Sequence, residues 1–328
     1  MTVALGVSAD ASRLPELSAL TQGLCRALAV TGTGTTCEII DRQPMDYVST
    51  FPSEVLTCVI DGRKVRVFSK YGGVVADHVD HGSRGCVPYE AKVYQHLLPR
   101  LGVSAPRYLG VYEENPRGRV WLFLEYLEDS RRVHRVAQER EGLCAAAAWV
   151  GRLHANASRL EPLPAWIIRY DGVYFEGWVE RTLAFAGRRG EDLSWLEPLC
   201  RQGKEALREL LDEPTIIHGE FFPMNILLHR SEIYPVDWES TALGAGEIDL
   251  VALTDGWPDE VAWACRDAYC RARWPEGTPE AFGRRLSAAR LYNQFRWLGS
   301  RPGWTTSPHA QALFTALRVA GRQAGLVA

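Results

Sequence analysis

Lysine is scarce in this sequence. It occurs at only four of the 328 positions (64, 70, 92 and 204), so arginine supplies 33 of the 37 basic residues. A GC-rich genome is the simplest explanation of that bias, and it makes each remaining lysine a position to inspect. The 40 acidic residues bring the formal net charge to only -3. A charge this close to neutrality argues against a dedicated nucleic-acid binder or a polybasic membrane binder.

Long apolar runs are also missing. No run approaches the roughly 18 apolar residues of a membrane-spanning helix. The first 17 residues lack the basic stretch and apolar stretch of a secretory signal. We therefore expect a cytoplasmic protein with no membrane or nucleic-acid partner. Its 46% hydrophobic and 23% charged residues are typical of globular proteins, and 328 residues allow two domains or one large one.

Cysteine patterns of the metal-binding or redox type are absent. The eight cysteines include no CxxC pair and share no metal-like spacing with histidine. We expect mostly buried, inert thiols in a reducing compartment. The cysteines are Cys25, Cys37, Cys58, Cys86, Cys144, Cys200, Cys265 and Cys270.

The hydrophobic pattern of the first part predicts a helix followed by strands. The helix covers residues 14–30, and strand signals dominate from 37 to 70, with Asp61-Gly62 as a hairpin turn. Pro88 opens a second predicted helix that runs to about residue 101. Two more strands are expected, at 107–112 and 120–126.

The pattern changes to helices near residues 125–130. AAAAWVGRLHA is a strong helix former within the predicted helix 140–157. Further helices are expected at 176–212 and from 259 to the end. A strand-rich segment at 215–239 interrupts them.

That segment, TIIHGEFFPMNILLHRSEIYPVDWE, carries most of the chemistry. Glu220 and Asn225 precede a predicted hairpin, and Asp237 follows it, so the three oxygen-bearing side chains should meet at one end. Carboxylate and amide oxygens are ligands that Mg²⁺ prefers. For any single residue, a polar turn beside an ordinary hairpin is the alternative.

These motifs resemble a known family. HGExxxxN followed by Val-Asp-Trp is similar to the aminoglycoside phosphotransferase and choline-kinase-like family, and GRLHA at 151–155 resembles its central helix. The resemblance implies an α+β, bilobal protein-kinase-like fold. Residues 1–127 would form a β-rich N-terminal lobe with one main helix, and residues 128–328 a mostly helical C-terminal lobe. Asp249 in GEIDLVAL would be a buried aspartate that ties down the catalytic loop.

The resemblance requires a lysine–glutamate pair in the first part. Lys70 ends the predicted return strand, and Glu90 lies on the apolar stripe of the next helix, where a carboxylate is costly unless it is paired. In the kinase template such a pair orients the α- and β-phosphates. The alternatives are a solvated strand end for Lys70 and a dipole-complementing acid for Glu90.

Nucleotide contacts are expected at two further places. The segment 47–53 stands where a phosphate loop belongs, but it has no glycine, so the candidates are the hydroxyls of Ser49, Thr50 and Ser53. LFLEYL at 122–127 resembles the strand whose backbone binds adenine, with Glu125 and Leu127 as candidates. ATP is the expected nucleotide, between the lobes, with GTP as the alternative.

One residue departs from the family pattern. Glu220 stands where the family has aspartate, the carboxylate that accepts the proton of the acceptor hydroxyl in the template. Glutamate adds one methylene, about 1.5 Å of reach, and a misplacement of about 1 Å costs on the order of 100-fold in rate. Either the pocket is built around glutamate, or the chain is a weakened or repurposed kinase. Retention of Lys70, Glu90, Asn225 and Asp237 favours the first.

The predicted reaction is ATP-dependent transfer of the γ-phosphoryl group to a hydroxyl. Glu220, Asn225 and Asp237 are the predicted catalytic residues, and Asn225 and Asp237 the predicted Mg²⁺ ligands. His218 is expected to brace the loop. Glu239 is expected either to touch metal or substrate or to serve as a salt-bridge partner.

The acceptor is open. A natural product, sugar, nucleoside or amino-alcohol is expected, and because the acidic residues are scattered, a polycationic aminoglycoside is not favoured. Ser or Thr of a biosynthetic peptide is an alternative acceptor, and a catalytically silent nucleotide-binding partner is an alternative class. The aromatic segment 164–178 is either a pocket wall or core.

Overall fold

A computed structural model describes residues 14–45, 51–73, 86–114, 118–136, 139–187 and 193–326. Among them, packing divides the chain into two compact units. The first unit comprises residues up to 73, residues 86–131 and residues 227–239. The second comprises residues 132–226 and 240–326. The segment 227–239 thus packs with the first unit, although it follows much of the second unit in sequence.

The first unit is mainly β-structure. Its strands are β1 (Cys37–Pro44), β2 (Ser53–Ile60), β3 (Arg63–Gly72), β4 (Tyr108–Glu114) and β5 (Arg119–Glu125). Its helices are α1 (Leu17–Thr31), α2 (Val87–Lys92) and α3 (Leu98–Leu101), with a π-helical turn at Val93–Leu97 between the last two. Strand β10 (Glu232–Pro235) also belongs to it, and the short strands β6 (Arg131–Arg132) and β9 (Ile226–His229) lie at the boundaries of its segments.

Its five long strands form one antiparallel sheet in the order β1-β2-β3-β5-β4. The predicted turn at Asp61 and Gly62 joins β2 to β3, and both residues have positive φ, 46° and 78°, as the favoured hairpin turns require. The backbone N–H groups of Thr35 and Thr36 donate to the Asp61 carboxylate. The turn pairs β3 with β2, and β5 pairs with the other side of β3, so β3 is the central strand.

Helix α1 packs on the sheet through small residues. Gly110 has a φ of 141°, and a Cβ there would lie 2.7 Å from the carbonyl oxygen of Ala27. A Cβ at Gly23 would lie 2.7 Å from the Trp121 ring. The close approach buries a core whose members are Leu20, Leu24, Ala27, Leu28, Ile39, Leu56, Cys58, Val67, Tyr71, Leu109, Trp121 and Phe123.

A disulfide joins Cys25 of α1 to Cys37 of β1, with their Cα atoms 5.5 Å apart. The expectation of unpaired thiols is wrong for these two cysteines. A separation of 12 residues matches no motif, and the pair forms because α1 folds back against β1. The other six cysteines are free. Burial raises the pKa of Cys58, Cys200 and Cys265 to about 12, which disfavours the reactive thiolate form.

The second unit is mainly helical. Its helices are α4 (Glu139–Ala157), α5 (Gly172–Ala186), α6 (Leu196–Ala206), α7 (Glu247–Thr254), α8 (Asp259–Arg273), α9 (Phe282–Ser300), α10 (Pro302–Thr306) and α11 (Ala310–Gln323). Strands β7 (Ile168–Arg169), β8 (Thr215–Ile217) and β11 (Ala242–Gly244) form a small sheet in the order β7-β11-β8. Among the described residues, every helix is too short or too polar to span a bilayer.

The aromatic segment 164–178 belongs to the core of the second unit. Its buried rings are Tyr170, Tyr174, Phe175 and Trp178. Asp171 caps helix α5 by accepting a hydrogen bond from the Tyr174 backbone N–H at 2.9 Å. Helix α5 packs against α9, and the rings of Tyr170, Tyr174 and Phe175 contact Tyr292 of α9. Of the two interpretations of this segment, core packing describes these rings.

We expect Gly110→Ala to lower the free energy of unfolding by about 1–3 kcal/mol from backbone strain, because alanine is strained at this φ. The contact of its methyl group with Ala27 should add to this loss. Gly283→Ala is the matched control, since nothing lies within 4 Å of a Cβ there, and an exposed helical alanine stabilises by roughly 0.4–1 kcal/mol. Urea unfolding measures both. Equal stability of the two variants would contradict the close packing of α1.

Candidate active site

Lys70 lies at the centre of a buried ionic cluster in the first unit. It stands on the central strand β3, near its end. Its Nζ donates to Glu90 Oε2 at 2.8 Å and to Asp237 Oδ1 at 2.5 Å. Glu239 Oε2 lies 3.1 Å from Lys70 Nζ. Glu239 is therefore a salt-bridge partner, one of the two roles that the sequence left open for it. The lysine side chain is only 4% exposed.

Glu90 connects this cluster to helix α2. Its second oxygen, Oε1, accepts a hydrogen bond from the Trp238 backbone N–H at 3.2 Å, so one carboxylate holds both the lysine and the segment after β10. Burial raises the pKa of Glu90, and the Lys70 charge opposes the rise. Burial also disfavours the Lys70 charge, but Asp237, Glu239 and Glu90 together raise the pKa of Lys70 well above its ordinary value. The predicted Lys70–Glu90 contact is therefore present.

Asp237 is the member of the cluster that reaches solvent. Its side chain is 32% exposed, whereas those of Glu90 and Glu239 are 2% and 3% exposed. Its φ of 68° is uncommon for a residue with a side chain, and such conformations concentrate at functional sites. The ligand oxygens of Glu90, Asp237 and Glu239 lie within 4.8 Å of one another. Oxygen ligands of this type are those that Mg²⁺ prefers, but each of the three carboxylates already contacts the Lys70 ammonium group.

The proposed nucleotide residues are placed only in part. Ser49 and Thr50 lie outside the described residues. Ser53 is buried and stands directly opposite Lys70 in the β2–β3 register. In the segment after β5, the Glu125 N–H donates to the Arg107 carbonyl at 2.9 Å, and the Leu127 carbonyl accepts the Ser130 N–H at 3.4 Å.

The loop after β8 is anchored by a buried carboxylate in the second unit. Asp249 accepts the backbone N–H groups of His218 at 2.7 Å and Gly219 at 2.8 Å. His154 Nε2 lies 3.2 Å from Asp249, and burial lowers the pKa of this histidine. As the resemblance implies, Asp249 ties the loop to helix α7. His218 supports the same loop, since its Nδ1 accepts the Glu220 N–H at 3.3 Å.

Gly219 allows the loop to turn this closely. Its φ is 81°, and a Cβ there would lie 2.1 Å from the Ser240 carbonyl oxygen. Five residues later, Asn225 Nδ2 donates to the Glu220 backbone carbonyl at 3.1 Å. This contact leaves the Asn225 amide oxygen as the atom that would bind a cation.

The sequence did not predict a partner for the Glu220 side chain. The structure pairs it with Arg296 of α9, whose Nη2 donates to Glu220 Oε1. The two residues are 76 positions apart, and arginine is so common in this chain that no pattern singles this one out. Helix α9 itself carries four arginines, at positions 284, 285, 290 and 296, so its own sequence did not mark Arg296.

The structure thus gathers Lys70, Glu90 and Asp237 in the first unit, together with Glu239. Glu220 and Asn225 lie on one anchored loop in the second unit. The first group is an ammonium charge beside oxygen ligands, which suits a phosphate–metal complex. The second contains a carboxylate of the kind that activates a hydroxyl.

The sequence matches the model of a phosphotransferase enzyme family over residues 69–287, more than half of the chain. No curated protein matches it.

Solved structures resemble the chain at low sequence identity. An aminoglycoside phosphotransferase from Alicyclobacillus acidocaldarius is 14% identical, with 88% of this chain and 90% of that one covered and a TM-score of 0.59. A macrolide 2′-phosphotransferase from Brachybacterium faecium is 16% identical, with 92% and 98% covered and a TM-score of 0.56. A choline kinase from Cryptosporidium parvum is 13% identical, with 86% and 89% covered and a TM-score of 0.59. The predicted α+β, kinase-like fold is confirmed.

We expect Lys70→Met to lower the free energy of unfolding by about 3–5 kcal/mol near pH 7, because three carboxylates lose their buried counterion. Near pH 5 the loss should be smaller. Without Lys70 the pKa of Glu90 rises further above its value in the unfolded chain. The folded variant therefore binds a proton at a pH where the unfolded chain does not, so lowering the pH stabilises the folded variant. Urea unfolding at both pH values measures the difference.

Lys204→Met is the control, because this lysine is one-third exposed and pairs with Glu180. An exposed pair contributes about 0–1 kcal/mol. A Lys70→Met protein as stable as this control near pH 7 would show that the cluster does not depend on the ammonium.

Proposed function

Because the chain belongs to the phosphotransferase enzyme family, we propose that it moves the γ-phosphoryl group of ATP to a hydroxyl of a small molecule. Family membership itself establishes phosphotransfer to an alcohol group as the enzyme class. The observation that carries the proposal is the buried cluster of Lys70, Glu90 and Asp237. A lysine held in place by a glutamate, beside an exposed aspartate, is what the kinase reaction needs to orient a polyphosphate.

The cluster supplies the nucleotide side of the reaction. Lys70 would contact the α- and β-phosphates as a compact charge, and Glu90 keeps its ammonium group from turning away. Ser53, opposite Lys70 on β2, would add a hydroxyl. The backbone near Glu125 and Leu127 would hold the base.

Asp237 and Asn225 would hold Mg²⁺. The exposed carboxylate of Asp237 and the amide oxygen of Asn225 are hard oxygen ligands of the required kind. A bound Mg²⁺ would neutralise charge on the β- and γ-phosphates.

Glu220 would act on the acceptor. Its carboxylate would orient the hydroxyl and take up its proton while the γ-phosphoryl group is transferred. The anchored backbone of His218 and Gly219 holds this residue in a defined position, which supports an active enzyme over a catalytically silent one.

The charge around Glu220 bears on the acceptor class. The Glu220 carboxylate is already paired with Arg296. Its negative charge therefore contributes little to attracting a polycationic acceptor. This supports an uncharged hydroxyl acceptor, such as a sugar or a nucleoside, over an aminoglycoside. A serine or threonine of a biosynthetic peptide is the second candidate.

We expect the wild-type protein to bind Mg-ATP and Asp237→Ala and Lys70→Ala to bind it about 10- to 100-fold more weakly. Hydrogen bonds to charged groups contribute about 1.5–3 kcal/mol each. Isothermal titration calorimetry with Mg-ATP and Mg-GTP measures the affinities, and Lys204→Ala should bind like the wild type. Absence of Mg-nucleotide binding by the wild type would refute the proposal.

The acceptor is sought by ADP release with a panel of sugars, nucleosides, amino-alcohols and hydroxyl-bearing peptides. With the acceptor so found, we expect Glu220→Gln to lower kcat by about 100- to 10,000-fold, the usual contribution of a general base. Glu220→Asp should lose on the order of 100-fold, since its carboxylate is withdrawn by more than 1 Å. Undiminished turnover of Glu220→Gln would rule out this base. Nucleotide binding without ADP release would favour the silent partner.

A further inference from the structure

Arg296 has no part in the reaction proposed above, yet it contacts the side chain on which that reaction depends. Its Nη2 donates to Glu220 Oε1. The side chains of Arg296 and Glu220 are only 15% and 7% exposed. Two charges taken out of water in this way need good mutual geometry, so the pair differs from the exposed ion pairs that contribute little.

The charge of Arg296 is secure in this position. Burial alone would lower the pKa of its guanidinium, but Glu220 and Tyr292 raise the pKa above its ordinary value. Arginine also offers several donors in a rigid plane, which suits it to orient a carboxylate.

A wall of tyrosines supports Arg296. Tyr292 precedes it by one turn on α9, so both side chains lie on the same face of the helix. The Tyr292 and Tyr174 hydroxyls are hydrogen-bonded at 2.8 Å. The rings of Tyr174 and Tyr170 are stacked with their centroids 3.8 Å apart. The Tyr170 hydroxyl donates to the Ser240 carbonyl at 3.2 Å. Arg296 interacts electrostatically with all three tyrosines, so it lies beside a hydrogen-bonded and stacked cluster that limits its movement.

The Glu220 backbone is held independently. Asp249 fixes the two preceding N–H groups, and His218 accepts the N–H of Glu220 itself. With both the loop and Arg296 fixed, side-chain length decides whether the carboxylate reaches the guanidinium. Aspartate is shorter by about 1.5 Å, which is more than a hydrogen bond tolerates.

We propose that Arg296 is a positioning residue that holds the Glu220 carboxylate where the acceptor hydroxyl meets it, and that this contact is why the motif carries glutamate. The contact itself is independent of the proposed function. Only its consequence for turnover rests on Glu220 being the base.

Crystal structures of the wild type, Arg296→Met and Arg296→Lys test the positioning without any acceptor. We expect the Glu220 carboxylate to leave its wild-type position in Arg296→Met and to follow the ammonium group in Arg296→Lys. A carboxylate that stays in place in Arg296→Met would overturn the proposal. Arg296→Lys keeps a buried cation, so it gives an answer even where Arg296→Met fails to fold.

A double-mutant cycle in urea tests the contact in solution. Glu220→Gln and Arg296→Met should each lower the urea midpoint of unfolding, because each single change leaves a buried charge without this counterion. The double variant removes both charges, so it should be at least as stable as the less stable of the two single variants. Arg284→Met, also on α9, and Glu209→Gln form the matched control, since their pair is exposed and should show no coupling. Additive effects in the first cycle would overturn the contact.

Kinetics test the consequence. With the acceptor found by ADP release, we expect Arg296→Met to lower kcat by about 10- to 100-fold, on the scale of a misplacement of about 1 Å, with both KM values within about twofold of wild type. Arg296→Lys should recover part of the loss. In the Glu220→Gln background, Arg296→Met should cause no further loss. A raised acceptor KM with unchanged kcat would instead make Arg296 a substrate-binding residue.

The two proposals fail differently. If Glu220→Gln keeps full turnover while the urea cycle shows coupling, the base assignment is wrong and the contact stands. If Glu220→Gln is inactive while Arg296→Met is fully active, the base assignment stands and the positioning role is wrong.

Discussion

One ammonium group surrounded by three carboxylates is the interaction on which the candidate nucleotide site depends. Lys70 is the counterion that Glu90, Asp237 and Glu239 share, and buried carboxylates without a counterion would be costly. The central strand, helix α2 and the segment after β10 are thereby held together at one point. Because Asp237 is the most exposed of the three acids, it is the one presented outward. Arginine would be unsuitable at this position, because its planar guanidinium group spreads the charge over several nitrogens and cannot place it on one atom between three oxygens.

In the second unit, the backbone and the side chain of Glu220 are held by two different residues. Asp249 uses its carboxylate to fix the backbone of the loop, while Arg296 fixes the side chain that the loop presents. With these tasks divided, the position of the Glu220 carboxylate does not depend on its own backbone alone. The tyrosines behind Arg296 form part of the core between α5 and α9, so stability and site geometry are coupled there.

Much of this arrangement was predictable from local patterns. The hairpin at Asp61-Gly62 follows from turn chemistry, and the Lys70–Glu90 contact from a carboxylate on an apolar helical stripe that needs a cation. The spacing of His218, Glu220, Asn225 and Asp237 led to the family. Glu239 remained ambiguous, because a residue that follows a strand end can face either solvent or core. The disulfide between Cys25 and Cys37 and the core position of the tyrosines of segment 164–178 depend on how distant elements pack, and short-range patterns do not report this.

The sequence by itself determined the fold class, the family and the residue types that the chemistry requires, because period, turn residues and motif spacing are local properties. Tertiary structure alone decided which charges meet. It brought Glu239 to Lys70 across 169 positions and Arg296 to Glu220 across 76. Such pairs form because burial makes an uncompensated charge expensive, and the choice of partner is set by which helices and strands pack together. An arginine among 33 carries no mark of its role until the fold places it beside a carboxylate.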